Sequence, residues 1–229
     1  MKRSKNSRLI RRVRMLRHCL CALFAVGITS SVFAVPAVTG AVSWEGQLSS
    51  GDSLDLHAQE SNDDRFLYFE STTTLSSGLA LDVVAPGLPS GLVLPAGVKV
   101  QSYLLHFDPV GAIPGTTISG GSITFDGPII GLLINDASLN ATDSVLGVAG
   151  ATYFTGVGRG MDVGVDQFII SADALTLDLG TWTAGPAVDE LRVITALPPA
   201  LVPESSISVA LLGIGLAFLA FARRGFCHH

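Results

Sequence analysis

The sequence predicts an all-β protein whose body is a single antiparallel β-sandwich or jelly-roll-like domain. Three observations point there. Short apolar or alternating runs recur along residues 35–196, each bounded by Gly, Pro, Asp or Ser. Leu175, Leu177 and Leu179 alternate with Thr176 and Asp178, the period of two that half-buries a strand. No window of the body holds a 3.6-residue period beyond a turn or two. Strands are expected at residues 42–48, 65–70, 79–84, 98–107, 119–125, 129–134, 167–171, 174–179 and 191–195. Breakers separate them at Pro86-Gly87, Pro95-Ala96-Gly97, residues 109–115, Gly120-Gly121, Gly127-Pro128, residues 156–160 and Gly185-Pro186. Many short strands with turn signals between them suit two packed sheets. A body of about 170 residues buries roughly two-thirds of its unfolded surface, enough for one domain.

The two ends differ from the body. Lys2, Arg3, Lys5, Arg8, Arg11, Arg12, Arg14 and Arg17 make a long positive region, followed by an apolar run at residues 19–28 and small residues at 29–34. That order is an export signal spanning residues 1–34, with cleavage expected between Ala34 and Val35. Residues 197–202, with Pro198 and Pro199, read as a stiff linker. The end of the chain, residues 203–229, has three parts. The polar Pro203-Glu204-Ser205 comes first, an apolar run at 207–221 follows, and Arg223 and Arg224 close it. Fifteen residues span about 22 Å as a helix, short of the roughly 30 Å hydrocarbon core. Extension through Ser206 and Ala222 gives a minimal transmembrane helix at 206–222, whose arginines reach the cytoplasmic headgroups. A tail anchor or a buried terminal helix is the plainer alternative.

Together, the export signal and the three-part tail resemble the PEP-CTERM proteins of Gram-negative bacteria. The resemblance implies that the tail is a sorting signal, read and processed by a membrane-embedded exosortase. The protein would be held briefly in the inner membrane and then sorted to the cell surface or beyond it. Ser205 departs from the usual Pro-Glu-Pro. Five body segments, SYLLHFDPVG, GSITFDGPIIGLLI, SLNATDSVLGVAGATY, RGMDVGVDQFII and DELRVIT, resemble a recurring secreted domain of that family. This second likeness bears on fold and sorting class and implies no chemistry.

Charge is segregated. Ten of the fourteen basic residues lie in the terminal segments. Only Arg65, Lys99, Arg159 and Arg192 face eighteen acids in the body, a net charge of −14 (4 minus 18) against −5 for the whole chain. Such a body is repelled by nucleic acid and anionic lipid and attracts cations. Cys19, Cys21 and Cys227 all lie outside it, so the body forms no disulfide and uses no thiolate.

Candidate sites are few. His106 and Asp108 are two apart at the end of a strand and so share a face, where they can meet one ligand or cap the turn before Pro109. His57 is the only other body histidine, so two-histidine chemistry needs long-range convergence. No serine sits in a Gly-x-Ser-x-Gly elbow, and carboxylate pairs for glycoside cleavage are unspecific among eighteen acids. Asp162 and Asp166, which flank Gly164, are the candidate ligands for a structural calcium, with Asn62, Asp63 and Asp64 as a second acidic turn; the alternative is solvated turn acids that keep the protein soluble. No cofactor is otherwise expected. The reading is an exported, non-enzymatic surface or matrix protein whose partners are exosortase, the membrane, and exopolysaccharide or another envelope component, with no nucleic acid. The alternative is a secreted carbohydrate-binding module or a polysaccharide-active hydrolase. A polar cluster in a cleft favours the hydrolase, a flat face of exposed aromatics favours sugar binding, and neither favours a matrix role.

Overall fold

Strands account for most of the regular structure in the computed structural model, which describes residues 35–198 except 114, 163, 185 and 186. The first strands are β1 (Ala37–Thr39), β2 (Val42–Gln47), β3 (Ser53–Leu54), β4 (Arg65–Thr74), β5 (Leu79–Ala80), β6 (Val83–Val84), β7 (Val93–Leu94) and β8 (Lys99–Phe107). After a 3-10 turn at Val110–Ala112 come β9 (Thr116–Ser119), β10 (Ser122–Thr124) and β11 (Ile129–Leu133). Helix α1 (Asp136–Leu146) precedes β12 (Thr152–Tyr153), β13 (Phe168–Ile170), β14 (Thr176–Leu179), β15 (Thr181–Ala184) and β16 (Asp189–Ala196). Ala34, Pro203, Glu204, Ser205, Arg223 and Arg224 lie outside the described residues, as do the expected signal and sorting helices. Among the described residues no helix is long and apolar enough to cross a membrane.

A six-stranded sheet, in the order β2-β4-β8-β16-β11-β6, forms the centre. It is covered on both faces, which is why β8 and β16 are buried almost end to end. On one face Leu67, Phe69, Tyr103, Leu105, Phe107, Leu191 and Val193 share a core with Ile123, Leu177 and Leu179 of a four-stranded sheet ordered β1-β10-β14-β13. Ile118, Trp182 and Ala184 of the β9/β15 pair complete that core. On the other face Tyr68, Val100, Leu104, Leu133 and Ile194 pack with Leu139 and Leu146 of α1 and with Leu75, Leu79, Leu81 and Leu94.

Two expectations need correction. The strands are not all antiparallel: β2 runs parallel to β4, and β12 parallel to β3, so the central sheet is mixed. The body also holds an eleven-residue helix, α1. Its buried residues are Leu139, Thr142 and Leu146, so hydropathy shows little of its period. Asp82 binds the helix start, its Oδ2 accepting from the Ile134 and Asn135 amides at 2.7 and 3.0 Å and its Oδ1 from Ser138 Oγ at 2.7 Å.

The expected strand at 119–125 is bent rather than straight. β9 continues into β10 and β14 into β15, so the two pairs form one ribbon kinked at Gly120-Gly121 and Gly180. Gly121 has φ +116°, and a Cβ there would lie 2.9 Å from Val42 Cγ2, so only glycine suits the bend. Arg65 gathers the carbonyls around this kink. Its guanidinium donates to the oxygens of Gly120 at 2.7 Å, Gly180 at 2.9 Å, Ile118 at 3.1 Å and Ala41 at 3.4 Å, and lies 4.7 Å from the Trp182 ring. Burial pulls its pKa down to about 10. Arg65→Met removes the guanidinium from all four carbonyls, of which those of Gly180 and Ala41 keep the amides of Gly120 and residue 65 at 3.2 Å, at about 1–3 kcal/mol for each group left unpaired. Urea denaturation is expected to show a loss of at least ~3 kcal/mol; a loss under ~1 kcal/mol would mean that water replaces the guanidinium freely.

Candidate functional site

The segment from β3 to β4 folds back on the end of β8. Ser61 N–H donates to the Asp108 carbonyl at 2.8 Å, and Asn62 Oδ1 accepts from the Val110 amide at 3.1 Å. Ser61 Oγ also accepts from the Asp63 and Asp64 amides at 3.1 and 3.0 Å, so part of the acidic turn at 62–64 is shaped by local bonds. This docking brings His57, Glu60 and Asp108 together: one ligand atom from each lies within 4.8 Å of the others. The His57 amide donates to Asp108 Oδ2 at 2.5 Å, and Glu60 Oε1 meets both His57 Nδ1 and the Gly111 amide. His57 has φ +68°, a left-handed backbone that histidine adopts more readily than most residues. The hydrogen bond to Glu60 raises the His57 pKa, and the same bond holds Glu60 below the usual carboxylate range. Asp108 is fully buried, and burial pushes its carboxyl up.

His106 shares the face of Asp108 but enters a different network. Its Nδ1 lies 2.8 Å from Glu190 Oε1. Glu190 Oε2 accepts from Arg159 Nε at 2.5 Å, and Arg159 continues to Asp143 at 2.6 and 3.0 Å and to Asn140 Oδ1 at 2.8 Å. Asp143 Oδ1 also accepts from Arg192 at 2.8 Å. Arg192 holds Glu70 in a two-pronged pair at 2.7 and 2.8 Å, and Ser102 Oγ donates to the same carboxylate at 2.6 Å. Burial works against the charge of both arginines, but Glu190 and Asp143 beside Arg159, and Glu70 and Asp143 beside Arg192, outweigh it and raise both pKa values. The chain of groups runs under α1 and joins it to β4, β8 and β16. Its members are saturated with partners, which suits architecture; His106 Nε2 is the exception, without a partner among the described residues.

The expected calcium residues sit elsewhere. Asp162 is exposed, and Asp166 is buried. Asp166 Oδ2 accepts the Asp162 amide at 2.6 Å and Oδ1 the Thr183 amide at 2.9 Å, so both oxygens already brace backbone. Asp166 and Asp162 instead act on Asp189, which is 2 % exposed and has no partner for Oδ2 among the described residues. Burial first, then Asp166 and Asp162, push the Asp189 carboxyl up to about 8.

The outer face of the kinked ribbon carries a ladder of hydroxyls. Thr117 pairs with Thr183 at 3.4 Å, Ser119 with Thr181 at 3.1 Å, Thr124 with Thr176 at 3.1 Å, and Thr39 with Ser122 at 2.9 Å. The alternation in TTISGGSIT and TLDLGTWT carries this pattern in the sequence. None of the described aromatic side chains falls in the exposed class. A groove of about 400 Å³ beside α1 is lined by Leu75, Leu79, Ala137, Ala141 and Val145 among others, and none of the histidine–carboxylate cluster lines it. Comparison with protein-family models, curated proteins and solved structures returns no match.

Asp189 makes stability depend on pH. Its folded value of about 8 lies above the ordinary 3.8, so its stabilising contribution is complete below about pH 4 and is lost as pH rises through about 8. Between those limits the native state holds up to one extra proton, a fall of at most about 1.4 kcal/mol per pH unit. Asp189→Asn, which mimics the protonated acid, is expected to flatten the urea midpoint between pH 5 and 8 and to surpass the parent protein at about pH 9. Parallel profiles for the two proteins would show that Asp189 is ionised throughout.

Proposed function

We propose that the chain is an exported, non-enzymatic surface or matrix protein, sorted by an exosortase and associated with exopolysaccharide or another envelope component. One observation carries the reading: the basic and apolar residues at the two ends enclose a strongly acidic, cysteine-free β body. The first end has the order of an export signal, and the last has the order of a PEP-CTERM tail despite Ser205. The body then reads as a jelly-roll-like sandwich of the secreted kind, and the mature protein as residues from about Val35 to the Pro203-Glu204-Ser205 region.

The body's surface supports glycan association by hydroxyl contact rather than ring stacking. The ladder from Thr117 to Thr124 and Thr176 to Thr183 offers donors and acceptors on a sheet face, whereas no described aromatic side chain is exposed. Three of the body's four cations are buried together with five acids, Glu70, Asp108, Asp166, Asp189 and Glu190, so thirteen acids (18 minus 5) against Lys99 alone still face the solvent side. Such a surface favours neutral glycans, or acidic ones bridged by divalent cations.

Intact-mass measurement of protein released from cells tests the sorting reading. The expected species begins at or near Val35 and ends at or near Ser205. Released protein that keeps Met1, or keeps the residues after Arg224, would refute it.

A further inference from the structure

The cluster of His57, Glu60 and Asp108 differs from an ordinary surface ion pair in one respect. Asp108 is fully buried, and its Oδ1 has no hydrogen-bond partner among the described residues. An unpaired buried acceptor costs about 1–3 kcal/mol, and native chains rarely retain one without a reason. Oδ2 is used by the His57 amide, so Oδ1 is the oxygen left for another partner. The neighbours add to the demand for a cation. Glu60 is a second carboxylate within 4.8 Å, and no Lys or Arg bridges either acid in the described ion pairs.

We propose that His57, Glu60 and Asp108 form a binding site for a divalent first-row transition ion, zinc or manganese. One imidazole nitrogen and two carboxylates make three protein ligands, a set that leaves a coordination position for water or an external oxygen. Calcium prefers six to eight oxygen ligands, so a site with an imidazole and few oxygens selects against it. Ligands about 2.1 Å from zinc lie roughly 3.4 Å apart, inside the 4.8 Å limit within which the three atoms already fall. His57 and Glu60 come from the segment between β3 and β4, whereas Asp108 follows β8, so the ion fastens that segment to the centre of the sheet. Asp108 is held by the His57 and Ser61 contacts, and the Gly111 amide orients Glu60, so the ligands are supported before the ion arrives. This site is separate from Asp162 and Asp166 and does not depend on the sorting reading.

The test uses the full chain in mild detergent, stripped with a chelator, in a background where His18, Cys19, Cys21, Cys227, His228 and His229 are replaced by serine. Those replacements remove the terminal histidines and cysteines, residue types that would compete for zinc. Zinc and manganese are titrated calorimetrically, with calcium and magnesium as competitors. The expected result is one saturable transition-ion site per chain that a tenfold excess of calcium does not displace. His57→Gln and Glu60→Gln, both outside the core, are each expected to weaken it more than about tenfold. Urea midpoints without metal verify that these variants fold, and a saturable rise in melting temperature on adding zinc is expected in the parent and not in His57→Gln. Absence of one-to-one binding, equal affinity in parent and variants, or equal displacement by calcium would each overturn the proposal and leave the three residues as a local ion pair.

Discussion

The body has few cations, and it places them inside. Arg65, Arg159 and Arg192 are all fully buried, and only Lys99 among the four lies exposed. Arginine suits this use because its planar fork meets several acceptors at once and keeps its charge. Arg192 and Arg159, with Glu70, Asp143 and Glu190, join α1 to the central sheet. Arg65 gives its hydrogen bonds to carbonyls, lies against the Trp182 ring and binds the corner where the ribbon bends. A buried pair is not by itself a gain over apolar packing, because desolvation offsets much of the attraction. Once one partner is buried, however, its removal strands the other, so the network fixes which way α1 docks.

Much of the sheet was legible from the sequence because strand runs are local. The expected strands at 65–70, 98–107, 129–134 and 191–195 coincide with the cores of β4, β8, β11 and β16. The helix was not legible, and the reason is physical. α1 turns Thr142 inward and reaches Arg159 through Asn140 and Asp143, so part of its inner face is polar and its apolar period is weak. The two-residue strands β3, β5, β6, β7 and β12 are too short to show a period of two.

The candidate site shows the same division. His106 and Asp108 stood out because they are two apart on one strand, but the structure separates their roles: His106 joins Glu190, whereas Asp108 joins His57 and Glu60. The convergence of His57 on Asp108 spans 51 positions and leaves no local mark. Glu190 and Arg192 in DELRVIT were open to detection, since charges inside an otherwise strand-forming run signal buried groups that need partners, although those partners, Arg159 and Glu70, lie far off in the sequence. The hydroxyl ladder was equally present in TTISGGSIT, where Thr117 and Ser119 flank Ile118 and Ser122 and Thr124 flank Ile123.

The buried network is tested most directly by a double-mutant cycle on Glu70 and Arg192, read by urea denaturation. Glu70→Leu and Arg192→Leu are each expected to cost about 3–5 kcal/mol, because each leaves a buried charge unpaired. The double variant is expected to cost less than the sum by at least ~2 kcal/mol. Single costs that add to within about 0.5 kcal/mol would contradict the account, since the two charges would then not depend on each other.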